Sequence, residues 1–149
     1  MKIIGLLLTI ALIALSFMIM QNLKTPKELG VTNGKLAPLP STPNAVSSQT
    51  EDKERYVEPW PITTNTTITK AKLLKLLSAI ETITIQTETE NYIHAISVSG
   101  KMRYRDDLEF FIDESENVVH FRSGSRVGYS DMGLNRERYN TLRKKYNEM

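Results

Sequence analysis

Residues 3–20, IIGLLLTIALIALSFMIM, carry no charge and no polar face, which separates them from a surface helix, whose apolar residues fall on one stripe. As a helix the run spans roughly 27 Å, close to the hydrocarbon thickness of a bilayer. The chain therefore divides before anything else is read: residues 1–22 form a hydrophobic anchor or signal, and the soluble fold is built from the remaining residues. The polar boundary reads Met18-Ile19-Met20-Gln21, and residues this large disfavour cleavage of a signal peptide. The small-x-small sequence Ala14-Leu15-Ser16 is the competing cleavage site and leaves Ile3 to Ile13 as an ordinary signal core.

The flanking charges place Lys2 before the segment and Lys24, Lys27 and Lys35 after it, so the positive-inside rule nearly ties. A short N-terminal anchor delivers the domain attached to it across the membrane. The expectation is a single-pass protein of a bacterial inner membrane, amino end in the cytoplasm and domain in the periplasm. The alternative is secretion to the periplasm after cleavage. From residue 23 to residue 43 the chain contains four prolines and two glycines and reads as a stiff tether that holds the domain off the bilayer. Residues 44–149 are expected to form one domain, the most that this length supports.

Composition narrows the chemistry. Nineteen Lys and Arg against 17 Asp and Glu give a formal net charge of +2, far from the basic excess that nucleic-acid binding requires. With no cysteine there is no disulfide framework, thiol nucleophile, cysteine zinc site or lipid attached through Cys. The histidines are His94 and His120, so no metal centre is expected, and no cofactor motif is present.

The fold class expected is α+β: a helix, a four-stranded antiparallel meander and a C-terminal helix. Thr69 is the N-cap candidate of the first helix, with Leu73, Leu76, Leu77 and Ile80 on its apolar side. Alternating segments come next at Thr82 to Thr87, Tyr92 to Val98, Met102 to Ile112 and Val118 to Ser125, and short connections make them a meander. The last helix runs from about Asn135 to Tyr146, with Tyr139, Leu142 and Tyr146 inward. A turn at Glu114 to Asn117 sets Ile112 opposite Val119, Phe110 opposite Phe121 and Glu109 opposite Arg122, with Asp107 diagonal to Arg122. A three-residue loop at Ser99-Gly100-Lys101 pairs Val98 with Met102 and puts His94 opposite Asp106 on the apolar side; a two-residue loop reverses the faces.

Three stretches together resemble a known family: Tyr92-Ile93-His94-Ala95, Arg105 to Phe110 (RDDLEF), and Arg122 to Arg136 (RSGSRVGYSDMGLNR). With Pro43 to Ser48 (PNAVSS) as its opening motif, the sequence is similar to domain of unknown function 1499 over about residues 43–143. The resemblance implies a protein of bacterial envelopes or plastids and brings no activity or ligand with it. Ala45 departs from the form of the opening motif that has Cys after the Asn, so no role can rest on that thiol.

The motifs bring Arg122, Arg126 and Arg136 into range of Asp106, Asp107, Glu109 and Asp131. One reading is a structural charge network, since a desolvated Arg needs a carboxylate fork. A second is an anion or polar-group site formed by Arg122, Arg126, Ser130 and Arg136 at the helix opened by Gly133-Leu134-Asn135, with Asp131 either capping that helix or repelling the anion. A third is a carboxylate hydrolase using Asp107 and Glu109, which share a strand face, with Arg122 as the objection. His94 reads as a satisfied core polar residue, because Ser97 and Ser99 lack a nucleophile-elbow context. His120 has no argued role. The basic C-terminal helix, with Arg136, Arg138, Arg143, Lys144 and Lys145, reads as a solvated face or a contact with anionic lipid. The function expected is a noncatalytic envelope binding or scaffolding module, its partners the membrane through the N-terminal helix and an envelope protein, anionic lipid or glycan.

Overall fold

The computed structural model describes residues 2–149. The first element, α1 (Lys2–Leu23), has no buried residue. By length and composition it is able to cross a membrane. A small hairpin comes next, β1 (Val31–Thr32) and β2 (Lys35–Leu36). The main sheet contains β3 (Ala45–Ser47), β4 (Trp60–Pro61), β5 (Ile83–Glu88), β6 (Tyr92–Val98), β7 (Arg105–Asp113) and β8 (Val118–Ser125), with α2 (Thr66–Ser78) between β4 and β5 and α3 (Leu134–Glu148) after β8. The expected α+β meander is the run β8-β7-β6-β5.

The sheet has six strands rather than four. β3 pairs with the C-terminal half of β8 and β4 with its N-terminal end, both antiparallel. At two and three residues they are too short to show alternation, yet they cover the outer edge of β8. The free side of β3 is covered in turn: the Ser47 amide donates to the Arg55 carbonyl, and the Val57 amide to that of Ser47. An unpaired strand edge invites pairing with another chain, and these contacts remove the edge.

Both helices lie on one face. Ile93, Ala95, Leu108, Phe110, Ile112, Val119 and Phe121 point from the sheet towards Leu73, Leu76 and Leu77 of α2 and Tyr139, Leu142 and Tyr146 of α3. Trp60 fills the centre, stacked on Phe121 at 5.8 Å and edge-on to Phe110 at 5.4 Å. The expected register of β7 on β8 is observed, with Ile112 opposite Val119 and Glu109 opposite Arg122.

Three expectations are corrected. The N-cap of α2 is Asn65, whose side chain accepts from the Ile68 amide at 2.8 Å; Thr69 lies inside the helix, buried in its first turns. The β6–β7 register differs by three residues, because Val98 pairs with Arg105 and Ile96 with Asp107. Ser99 closes a wider turn, its amide donating to the Tyr104 carbonyl and its hydroxyl accepting from the Tyr104 amide, each at 2.9 Å. The left-handed residue of that turn is Arg103 at φ 55 and not Gly100. An odd shift reverses the faces of a strand, so His94 leaves the apolar side and lies opposite Glu109.

The segment expected to be a tether is the third correction. Val31 and Leu36 pack against Tyr92 and Phe111 on the face of the sheet away from the helices. The Gly30 amide donates to Glu109 at 2.8 Å. Proline-rich composition describes how a free chain behaves, but here apolar residues on the second face bind the segment down.

The aromatic cluster fixes how the helices sit on the sheet. Trp60→Ala leaves a large cavity among four rings and is expected to cost about 3–5 kcal/mol. Urea unfolding followed by circular dichroism checks this, since Trp60 is the chain's one tryptophan.

Candidate functional site

The second face of the sheet carries the charges. Alternation along β6, β7 and β8 places Tyr92, His94, Asp107, Glu109 and Arg122 on that side, where the register sets His94 beside Glu109 and Glu109 beside Arg122. A half-solvated antiparallel sheet would show these groups to water, but here Gly30 and the β1–β2 hairpin lie against Glu109, Tyr92 and Phe111, and Arg126 lies against Asp107. Asp107 is 2% exposed and Glu109 0%.

Each buried carboxylate is saturated with donors. Glu109 Oε1 accepts from the Tyr92 hydroxyl and the Gly30 amide, both at 2.8 Å, and Oε2 accepts from Arg122 Nη1 at 2.8 Å. Asp107 receives the Arg126 guanidinium as a fork, Nε to Oδ2 and Nη2 to Oδ1 at 2.8 Å each, and His94 Nε2 donates to Oδ1 at 2.7 Å. Burial pushes the Asp107 carboxyl up, but the hydrogen bonds from Arg126 and His94 and their charges outweigh it and hold the pKa below its ordinary 3.8. Burial and the neighbouring Glu109 carboxylate push the Tyr92 phenol well above its usual range, so it stays a neutral donor.

Arg126 reaches further. Its Nη1 lies 3.4 Å from the Asn22 carbonyl and 3.2 Å from that of Leu23, the last carbonyls of α1. The Asn22 side chain clasps the start of β7, donating to the Arg103 carbonyl at 2.9 Å and accepting from the Arg105 amide at 2.8 Å. A helix C-terminus leaves carbonyls without intrahelical partners and attracts cations. Arg126 therefore joins the sheet's buried acid to the end of the hydrophobic helix.

Other residues of the expected cluster lie elsewhere. Asp106 points to the helix side and pairs with Arg138 at 2.6 Å; Arg138 also donates to Asn135 at 2.7 Å, and Asn135 donates to the Asn44 carbonyl. Asp131 caps α3, accepting from the Gly133 and Asn135 amides at 3.1 and 2.8 Å. Those amides, on which an anion site at the helix opening depends, are occupied. Arg136 donates to the carbonyls of Glu54 and Tyr56, and Ser130 is exposed, its hydroxyl accepting from the Met132 amide. Arg122, Arg126, Ser130 and Arg136 are thus not gathered around one point.

Asp113, Glu116 and His120 were not anticipated as a set. Their ligand atoms lie within 4.8 Å of one another, the only such metal-competent group among the described residues. Asp113 is committed to its own turn, accepting from the Ser115 amide and hydroxyl and the Glu116 amide. His120 stacks on Phe111 and lies 3.2 Å from the Ser48 hydroxyl. A hairpin clasp accounts for these contacts. Beside β3, the docked segment also frames a cleft of about 530 Å³ lined by Glu28, Gly30, Thr32, Lys35, Gln49 and Glu51 among others. Composition assigns residues 23–43 to solvent, so this cleft has no signature in the sequence.

An acid lowered by folding stabilises the native state above its unfolded pKa, and that contribution is lost as pH falls through the folded value. Wild type is therefore expected to weaken below about pH 4. Asp107→Asn should be less stable at neutral pH and lose less on acidification. Arg126→Ala strands a buried carboxylate and is expected to cost about 3–5 kcal/mol at neutral pH. Urea titrations of detergent-solubilised chains at pH 7 and pH 3 measure all of these.

No curated protein and no solved structure matches the chain. Residues 35–146 match the family model described as protein of unknown function (DUF1499). The match takes in the ionic face, its covering hairpin from β2 onwards and both domain helices, and the chain belongs to the DUF1499 family.

Proposed function

We propose that the protein is a membrane-anchored envelope protein whose domain is a noncatalytic binding or scaffolding module. In this reading α1 stays in a bacterial inner membrane, the amino end is cytoplasmic and the domain lies in the periplasm. The observation that carries it is the clasp between Asn22, Arg126 and the end of α1. A spacer would let the domain diffuse away from its anchor, whereas these bonds hold it against the end of α1. Cleavage after Ser16 would instead leave Phe17, Ile19 and Met20, all exposed, as a greasy new terminus.

The noncatalytic part rests on how the charges are spent. A hydrolase pair needs one carboxylate open to water and another near the scissile bond. Asp107 and Glu109 are buried, and both accept from arginine. The cleft beside β3 is left as the place for a partner, and its volume lies within the range of small-ligand sites.

Alkaline carbonate washing and protease treatment of spheroplasts test the anchor and its orientation together. The expected result is full-length chain in the washed membranes and a domain digested as soon as the outer membrane is opened. A shortened chain in the wash, or a domain digested only after the inner membrane is broken, contradicts the reading.

A further inference from the structure

The last apolar residue of the hydrophobic run is Met20, and Asn22 lies two residues later in the same helix, which the Lys24 amide extends by donating to the Met20 carbonyl at 3.1 Å. At 1.5 Å of rise per residue, Met20 and Asn22 differ by only about 3 Å along the helix axis. Asn22 is bonded directly to the Arg103 carbonyl and the Arg105 amide. The turn before β7 is therefore held at the depth where the hydrocarbon gives way to headgroups.

The composition of that turn suits the place. Met102 is 62% exposed, a large apolar side chain without cover in the domain. Lys101 and Arg103 flank it, both exposed, and Lys24 and Lys27 are exposed on the segment leaving α1. Arg103 sits in the left-handed region at φ 55, which non-glycine residues adopt at a cost. That backbone turns its carbonyl to Asn22. Interfacial cations are drawn to anionic lipid, and an exposed apolar residue at this level finds acyl chain instead of water.

We infer that the turn Lys101-Met102-Arg103, with Lys24 and Lys27, is a lipid-contact surface that rests on the anionic headgroup layer of the leaflet through which α1 leaves the membrane. The inference depends on the anchoring proposed above. It replaces a domain held away from the bilayer with one seated on it, Met102 entering the interface and the four cations facing lipid phosphates.

The absence of cysteine makes the test direct. Full-length Met102→Cys and Ser115→Cys are labelled with a fluorophore and reconstituted in vesicles carrying a headgroup-level quencher lipid. Ser115 lies in the β7–β8 turn, at the opposite end of β7 from Met102, and both substituted side chains are exposed. The label at 102 is expected to be quenched at least about twofold more than that at 115. Its quenching should rise when phosphatidylglycerol replaces part of the phosphatidylcholine, and fall again with Lys101→Ala and Arg103→Ala added. Equal quenching at 102 and 115 in a chain that stays in the vesicles overturns the lipid-contact surface and leaves the anchor standing. Stronger quenching at 102 that ignores lipid charge overturns the role given to the cations. Release of the chain by alkaline washing overturns the anchor and this inference together.

Discussion

The fork between Arg126 and Asp107 decides what the second face of the sheet can be. A carboxylate as buried as Asp107 is tolerated only where charge and hydrogen bonds replace lost water, and Arg126 supplies both through Nε and Nη2 while His94 takes the remaining position. The guanidinium still has Nη1 for the carbonyls of Asn22 and Leu23. One side chain thus ties β7 to β8 and ties both to the hydrophobic helix. Lysine could not do this, because it lacks a planar fork with donors pointing in two directions.

The two faces of the sheet are built on different physics. The helix side is closed by aromatic and aliphatic packing around Trp60, which is non-directional and tolerant of small shifts. The other side adds to the apolar contacts of Val31 and Leu36 a set of directional ones, in which Asp107, Glu109, Arg122, Arg126, His94 and Tyr92 each depend on hydrogen-bond geometry. The Gly30 amide donating to Glu109 shows the coupling: the covering segment is itself part of the acid's solvation shell. Displacing that segment would expose Leu36 and remove one donor from a fully buried carboxylate, so the segment and the ionic face are stable only together. Both buried acids of this face are committed to an arginine, Glu109 to Arg122 and Asp107 to Arg126.

Local periodicity made much of the fold legible in the sequence. The hydrophobic run, the apolar sides of α2 and α3 and the β7–β8 register all come from spacing within a few residues, and Glu109 opposite Arg122 carries that legibility into the site itself. Periodicity failed where a distant contact or a single side chain decides. Gly100 made a tight turn plausible, but Ser99 and Arg103 set a wider one, which moved His94 from Asp106 to Asp107. Arg138 replaced the expected partners of Asp106 because only the docked position of α3 brings it near. Residues 23–43 look like spacer until Val31 and Leu36 meet Tyr92 and Phe111, a contact that no window of sequence contains. The DUF1499 match from residue 35 places β2 and Leu36 inside the family's domain.

Arg126 and Asn22 make the hydrophobic helix and the domain one body. Pulsed electron-spin distance measurement between nitroxides at Ser16→Cys in α1 and Glu114→Cys in the β7–β8 turn tests it in reconstituted full-length chain. One narrow distance distribution is expected, broadening when Arg126→Ala is added. A broad distribution already present with Arg126 intact would show a domain swinging on a free tether and would contradict it.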